Sequence, residues 1–438
     1  MTHTIPSIVT DAVDALWHRR GPRPDNTFDT PEFVDLKEAC IASYSVGARF
    51  GFTSSLWQIV RSLGCPMLLP PDKRNLALDV EAAAEGLHLA LTATTSRVVH
   101  LCPLDWADQP PPVAFAGSRL NRFSSNELQE IVGAPRLARA FPNAQPDWQR
   151  LSEFYWLIVE EKVPISVKPG ARTIPFFFES TRDYGAITAH QDRFPDAVEQ
   201  ALFLLLLAPW EDWSEAMEVD WRGFRIPWVY TVDGDLCVGL KSPPLDSNLT
   251  WVPQIYTDAY GEPVEDEEPA HFKLSDSAAA LTDYANEERW SDLGRACGSD
   301  LFETPIRHFL VRAFHSAGID EFIAHLTVLE AALGLQSDYV KKPAGDPRKG
   351  KKVTDIMMAR VACLLDDPGA GDEFKLLFDL RSAYVHGRPM APISSVDRFR
   401  ARRLARRVVA SLIGQALGQH GKPPIGREPF LISLGRNA

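Results

Sequence analysis

The sequence has few cysteines, and none of them lie close together. The six are scattered singly, with no Cys-x-x-Cys pair among them: Cys40, Cys65, Cys102, Cys237, Cys297 and Cys363. A disulfide framework or a structural zinc site needs cysteines at short, repeated spacings. The sequence therefore predicts buried free thiols in a reducing compartment and gives no sign of a metal site.

Long apolar runs are also missing. The most hydrophobic stretch, ALFLLLLAPW (201–210), stops at Pro209 and is too short to cross a bilayer. The first twenty residues lack the basic start and apolar stretch of a secretory signal. We therefore expect a cytoplasmic protein with no membrane partner.

Nucleotide and zinc motifs are absent as well. The sequence contains no glycine-rich phosphate loop, no dinucleotide-binding fingerprint, no Gly-x-Ser-x-Gly and no His-Glu-x-x-His. Nucleotide-driven motors, dinucleotide enzymes and zinc proteases find no support in this pattern. We expect a protein that uses neither a cofactor nor a metal.

Charge is present but unevenly distributed. The 438 residues carry a net charge of −12, yet residues 301–438 hold 21 Lys and Arg against 14 Asp and Glu. The preceding 300 residues are therefore strongly acidic. A basic region attracts polyanions, or it attracts the acidic part of its own chain. Either alternative indicates two functional parts.

Hydrophobic periodicity divides the chain in the same place. Residues 1–295 mix helical and strand patterns and predict an α+β sensing or regulatory region, possibly two subdomains. Within it, DWQRLSEFYWLIVEEKV (147–163) reads as a buried helix. Apolar positions at helical spacing then predict an all-α bundle over 300–420. The expected helices cover 301–318, 319–335, 353–365, 371–387 and 394–418. Residues 421–438 are expected to form an extended C-terminal arm.

The stretch LLFDLRSAYVHGRPM (376–390) draws attention to one helix end. Gly387 is the residue type expected just beyond a helix C-terminus, and Pro389 prevents continuation. His386 then lies at the end of the helix, with Arg381 a little over one turn earlier. Spacing alone also fits a capping histidine beside a surface arginine.

A histidine and an arginine at one helix end suit RNA cleavage without a metal. The 2′-hydroxyl must lose a proton as it attacks the neighbouring phosphate, and histidine exchanges protons near neutral pH. Arginine offers several donors to the negatively charged phosphorus centre. One histidine does not easily serve as base and acid in one step, so a second copy in a dimer, or water, would have to complete the site.

Three pieces of the C-terminal part form a further pattern: Leu329, Glu330, Ala332 and Leu333; Arg360, Val361, Ala362, Leu364 and Leu365; and Leu380, Arg381, Val385, His386 and Gly387. In their order and spacing, these pieces resemble the Apea-like branch of the HEPN superfamily. The resemblance implies a helical bundle that forms a homodimer with its Arg and His motifs facing each other. Many such domains are metal-independent endoribonucleases in toxin–antitoxin, CRISPR-associated and antiphage systems.

The resemblance also assigns roles to four residues. Arg381 and His386 match the catalytic motif, and Ser382 occupies the position where nuclease members often carry Asn, Asp or His. Glu330 matches an acidic position of the neighbouring helix. Its simpler role would be to pair with Arg360 or Arg381 and orient that side chain.

Two clusters of basic residues are candidates for RNA binding. Six lie in the loop KKPAGDPRKGKK (341–352), where they could follow a phosphate backbone or simply be solvated: Lys341, Lys342, Arg348, Lys349, Lys351 and Lys352. The second cluster is the six-arginine stretch RFRARRLARR (398–407), which includes Arg402, Arg403 and Arg406. Clustered arginines without acids favour an anionic partner, either RNA or an acidic domain.

Together these patterns predict an endoribonuclease of HEPN type, an antiphage effector or toxin, under the control of its N-terminal region. Its partners would be RNA, a second copy and a phage-derived trigger or an antitoxin. The alternative is a non-catalytic HEPN module that dimerises or binds a nucleotide and acts as a sensor or scaffold.

Overall fold

The fold is known from a computed structural model. It describes residues 4–19, 27–47, 49–172, 194–341, 346, 348–389, 392–419, 421, 423–424 and 426–435. The amino-terminal part mixes helices and strands, and helices dominate the carboxyl-terminal part, as the sequence predicts. In the part of the chain that is described, no helix has both the length and the apolar character needed to cross a membrane.

The amino-terminal part begins with helices and continues into a sheet. Its helices are α1 (Ser7–Trp17), α2 (Pro31–Ser43), α3 (Arg49–Leu63), α4 (Val80–Thr92), α5 (Ser125–Val132), α6 (Ala134–Ala140), α7 (Trp148–Leu151), α8 (Asp196–Leu205), α9 (Trp210–Trp213), α10 (Leu281–Tyr284) and α11 (Glu287–Cys297). Its strands are β1 (Thr95–Leu104), β2 (Val113–Phe115), β3 (Ser118–Arg122), β4 (Tyr155–Pro164), β5 (Tyr230–Asp233), β6 (Trp251–Thr257) and β7 (Pro263–Pro269).

A five-stranded antiparallel sheet, in the order β2-β3-β4-β1-β5, is the centre of this part. Side chains alternate between its two faces. On β1, Val99 and Leu101 pack with α5 and α7, whereas Cys102 and Leu104 pack toward α8. Helices α1 to α4 enclose a hydrophobic core of their own. The separate strands β6 and β7 form an exposed hairpin.

The predicted helix over 147–163 is wrong. Only Trp148–Leu151 is helical, and Tyr155–Pro164 form β4, which pairs with β1 along its whole length. Residues 155–159 are aromatic or aliphatic throughout and are mostly buried, because β4 lies inside the sheet. A continuous apolar run has no period that separates a buried helix from a buried strand, so aromatic and β-branched content should have decided the assignment.

Five carboxyl-terminal helices overlap their predicted positions, with ends that differ by at most five residues. They are α12 (Ile306–His315), α13 (Gly318–Leu333), α14 (Val353–Leu365), α15 (Pro368–Val385) and α16 (Ser395–Ala416), and a sixth helix, α17 (Arg427–Leu434), was not predicted. Their starts follow local chemistry, as at α16, where Ser394 and Asp397 form a reciprocal capping box. Within the expected extended arm, Arg427–Leu434 form the helix α17, whose Leu431 is fully buried against the bundle.

Packing does not break where the secondary structure changes near residue 300. A single hydrophobic core includes one face of the sheet, the apolar residues of α8 from Val198 to Leu205, and the inner faces of α12 to α17. Helix α8 packs directly against α12, and α11 packs against α16. The amino-terminal and carboxyl-terminal parts therefore share buried apolar surface.

Candidate functional site

Helix α15 ends as its sequence predicts. Asp367 caps its first turn, and His386 is the capping residue at its C-terminus. Gly387 adopts a φ of +62°, in the left-handed region that glycine enters without steric cost. The amide of Gly387 donates to the carbonyl of Tyr384 at 3.0 Å, and the amide of Arg388 donates to that of Ala383 at 2.9 Å. This paired pattern is a Schellman motif, which fixes where the histidine leaves the helix.

His386 is exposed at this end of the helix, and so are the residues before it. Tyr384 and Val385 are 47% and 58% exposed, which is unusual for large apolar side chains. In the described structure, no hydrogen bond or ion pair engages the imidazole of His386. The helix end is therefore open to a ligand or a protein partner.

Arg381 lies inward of this end and already has a partner. One of its terminal nitrogens is 3.2 Å from a carboxylate oxygen of Glu330 on α13. Its guanidinium also lies 5.5 Å from the ring centre of Phe378. Burial raises the pKa of Glu330, and the nearby positive charge of Arg381 partly opposes that rise. Of the two arginines that Glu330 was expected to orient, the structure selects Arg381.

Arg381 and His386 leave α15 in different directions. Five residues correspond to a rotation of about 140° around a helix, so the two side chains do not share one face. Arg381 is directed to α13, and His386 is directed to solvent. Ser382 is half-buried between them on the same helix, and its carbonyl accepts the amide of His386. In one copy of the chain, the motif presents one open imidazole and one arginine in an ion pair.

The basic loop is exposed at four of its six cations. Lys341, Lys349, Lys351 and Lys352 are exposed, while Lys342 lies outside the described residues. Arg348 departs from the prediction, because it is buried and bonded to Asp338 at 2.9 Å and to Asp346 at 2.8 Å. Arg348 holds the loop in place and is not available to RNA in this conformation.

Asp338 joins the loop to the bundle, a role that the sequence reasoning missed. It accepts from Arg348 and from the fully buried Arg360, whose guanidinium is 2.5 Å from its carboxylate. Arg360 also donates to the carbonyls of Leu333 and Leu431. Burial alone would raise the pKa of Asp338, but the bonds from these arginines lower it below the ordinary range.

Three arginines of the six-arginine stretch face the acidic part of their own chain, and the other three, Arg398, Arg400 and Arg407, pair with carboxylates of the helical part. Arg402 is fully buried, lies 3.4 Å from Glu211 and stacks 4.8 Å from the ring centre of Trp221. Arg406 reaches the same carboxylate at 2.5 Å and Asp212 at 3.1 Å. Arg403 is half-exposed, 3.7 Å from Asp212. Of the two alternatives, RNA or an acidic domain, Arg402 and Arg406 meet the acidic one.

A sequence signal for this contact existed in the segment APWEDW (208–213), whose paired carboxylates lie between two tryptophans. The sequence pattern does not predict that these carboxylates contact α16, because Glu211 and Arg402 are far apart in the chain. Burial lowers the pKa of Arg402 to about 10, so it stays charged at neutral pH.

No protein-family model, curated protein or solved structure matches this chain. The HEPN resemblance therefore rests on the three sequence pieces alone, and the role of each candidate residue stays a prediction. Among the described residues, no cluster of three or more His, Cys, Asp or Glu side chains is arranged to hold a metal ion. The chemistry available at the helix end is an imidazole and a guanidinium, whereas Lys351 of the basic loop lines a cavity at the other end of α15, with Pro368 and Gly371.

Proposed function

We propose that this protein is a metal-independent endoribonuclease of HEPN type, with Arg381 and His386 as its catalytic residues. The observation that carries the proposal is the end of α15, where the Schellman motif presents His386 to solvent on the helix that also carries Arg381. One chain supplies an exposed imidazole and, on another face of the same helix, an arginine paired with Glu330. In the proposed reaction Arg381 leaves Glu330 to reach the phosphate that His386 approaches.

The reaction follows from those two groups. His386 takes the proton of a 2′-hydroxyl, whose oxygen attacks the adjacent phosphorus. Arg381 stabilises the added negative charge, and the bond from phosphorus to the 5′-oxygen breaks as that oxygen gains a proton. The products are a 2′,3′-cyclic phosphate and a 5′-hydroxyl. Glu330 orients Arg381 between turnovers, and Ser382 lies beside the reacting groups.

A second copy of the chain would complete the site. The exposed Tyr384 and Val385 directly precede His386 at the end of α15. Neighbouring exposed apolar side chains support a protein interface at that end. In the proposed homodimer, one His386 acts as base and its copy acts as acid.

RNA would reach this site across the exposed lysines of the basic loop. Lys341, Lys349, Lys351 and Lys352 supply positive charge for backbone phosphates. The amino-terminal part shares its core with the bundle, so a trigger or antitoxin bound there has a physical route to the helices. The HEPN resemblance supports an antiphage effector or a toxin as the biological setting.

Cleavage of RNA in EDTA tests the proposal. Wild-type protein should yield ends with cyclic phosphate, whereas His386→Ala and Arg381→Ala should lose at least about 100-fold in rate, the usual contribution of a positioned acid–base group. His18→Ala removes another exposed histidine and should cleave normally. Equal cleavage by wild type and His386→Ala would remove the proposed role.

The Arg381–Glu330 ion pair favours a second candidate function. Arg381 is already paired with a carboxylate, and Ser382 follows it where nuclease members often carry Asn, Asp or His. Both features also fit a non-catalytic HEPN module that dimerises or binds a nucleotide. In that case no variant would cleave RNA, and Val385→Asp would dissociate the dimer in sedimentation measurements.

A further inference from the structure

A cleft of about 460 Å³ opens beside the proposed catalytic helix. It lies between the start of α13, the end of α15 and the start of α16, and its lining includes Ile319, Phe322, Tyr384, Ile393 and Arg398. Pockets that hold small ligands in proteins range over about 300–1,000 Å³. The cleft is therefore large enough for a flat ring with its substituents.

The lining is apolar and aromatic, with a single charged group. Phe322 is fully buried and Tyr384 is half-exposed at the rim. Arg398 extends from α16, where its Nε atom is buried and has no hydrogen-bond partner among the described residues. Its terminal nitrogen lies 3.5 Å from Glu321, at the outer limit of a hydrogen bond. A buried donor without an acceptor is unfavourable, so an acceptor placed there would be favoured.

The cleft and Arg381 belong to the same side of α15. Tyr384 and Arg381 are three residues apart, and side chains at this spacing are neighbours on a helix face. Three residues advance about 4.5 Å along the axis. A nucleotide with its base in the cleft would therefore place its phosphate near the backbone of Arg381, whose guanidinium would have to leave Glu330 to contact it.

We propose that this cleft binds one nucleobase of the RNA, next to the phosphate that is cut, and that it prefers guanine. The proposal rests on the proposed ribonuclease function and adds a specificity site to it. Aromatic side chains recognise unpaired bases by stacking, and Tyr384 supplies such a ring. The fork of an arginine suits the adjacent O6 and N7 acceptors of guanine, and Arg398 supplies the fork.

Four short RNAs that differ only in the base at one position test the proposal. Wild-type protein should cut beside guanine roughly tenfold or more faster than beside the other bases, as expected for one arginine–guanine pair. Arg398→Met removes the hydrogen-bond donor, and Ile319→Trp fills the cleft. Each variant should therefore abolish the preference for guanine. Tyr384→Phe should keep it and Tyr384→Leu should weaken it. Arg400→Met removes a charge from the exposed side of α16 and should leave it unchanged.

Binding separates this inference from the ribonuclease proposal. Anisotropy with 2′-O-methyl versions of the four RNAs measures base preference when no cleavage occurs. Tighter binding of the guanine RNA, lost in Arg398→Met, supports the cleft whether or not the RNA is cut. Cleavage or binding without a guanine preference overturns the cleft and leaves the nuclease intact. A change of oligomeric state in Ile319→Trp with unchanged base preference assigns the cleft to a second copy and also overturns it.

Discussion

Replacing Arg402 by Met should destabilise the protein strongly without touching the proposed catalytic residues. Methionine keeps most of the side-chain volume and removes the charge. Glu211 is fully buried, and its two arginine partners are Arg402 and Arg406. The variant therefore leaves the buried carboxylate of Glu211 with one of its two arginine partners.

The size of the effect follows from the contacts that are lost. Removing one partner of a buried ion pair costs about 3–5 kcal/mol, and the remaining pair with Arg406 argues for the lower end. Arg402 also donates to the carbonyl of Leu206 and lies over Trp221, contacts that add about 1–2 kcal/mol. We expect a total loss of about 4 kcal/mol.

Urea unfolding followed by tryptophan fluorescence measures this loss. Arg400→Met, on the exposed side of the same helix, should change stability by less than about 0.5 kcal/mol. Adding Glu211→Gln to Arg402→Met should recover part of the loss, because the unpaired charge is gone. A loss of unfolding free energy below about 1 kcal/mol, or weaker RNA binding at unchanged stability, would show that the Arg402–Glu211 ion pair does not stabilise the fold.

Three further predictions follow from other contacts. Because burial raises the pKa of Glu330, the folded state retains its proton longer than the unfolded state does. Wild type should therefore lose stability relative to Glu330→Gln as pH rises above the ordinary glutamate value, and parallel pH profiles would contradict this. Arg360→Met breaks the bonds to Asp338 and α17, and hydrogen exchange should speed up across residues 427–434; unchanged protection there would remove the proposed anchor. Gly371→Ala places a methyl group 2.9 Å from the carbonyl of Met358, where α14 and α15 cross, and should cost about 1–3 kcal/mol in urea unfolding. Gly369→Ala meets only the side chain of Asp367 and is the matched control; equal effects would refute the close crossing.

The end of α15 could be predicted from neighbouring residues, whereas the ion pairs between residues far apart in the chain could not. A glycine after a histidine and a proline two residues later specify a helix end from neighbouring residues alone, and the structure has that end. The bounds of α14 agree with the prediction for the same reason. Arg348 is buried because it pairs with Asp338, and Arg402 is buried because it pairs with Glu211. The pattern of charges in the sequence does not show which arginine meets which distant carboxylate.

The pairing of α16 with Glu211 and Asp212 has a consequence for how the chain is made. Synthesis runs from the amino terminus, and domains generally fold in that order as they emerge. The carboxylates at 211 and 212 therefore leave the ribosome long before the arginines at 398–407. When those arginines are made, the carboxylates that pair with Arg402, Arg403 and Arg406 are already present in the same molecule, and this intramolecular pairing competes with ribosomal RNA for them.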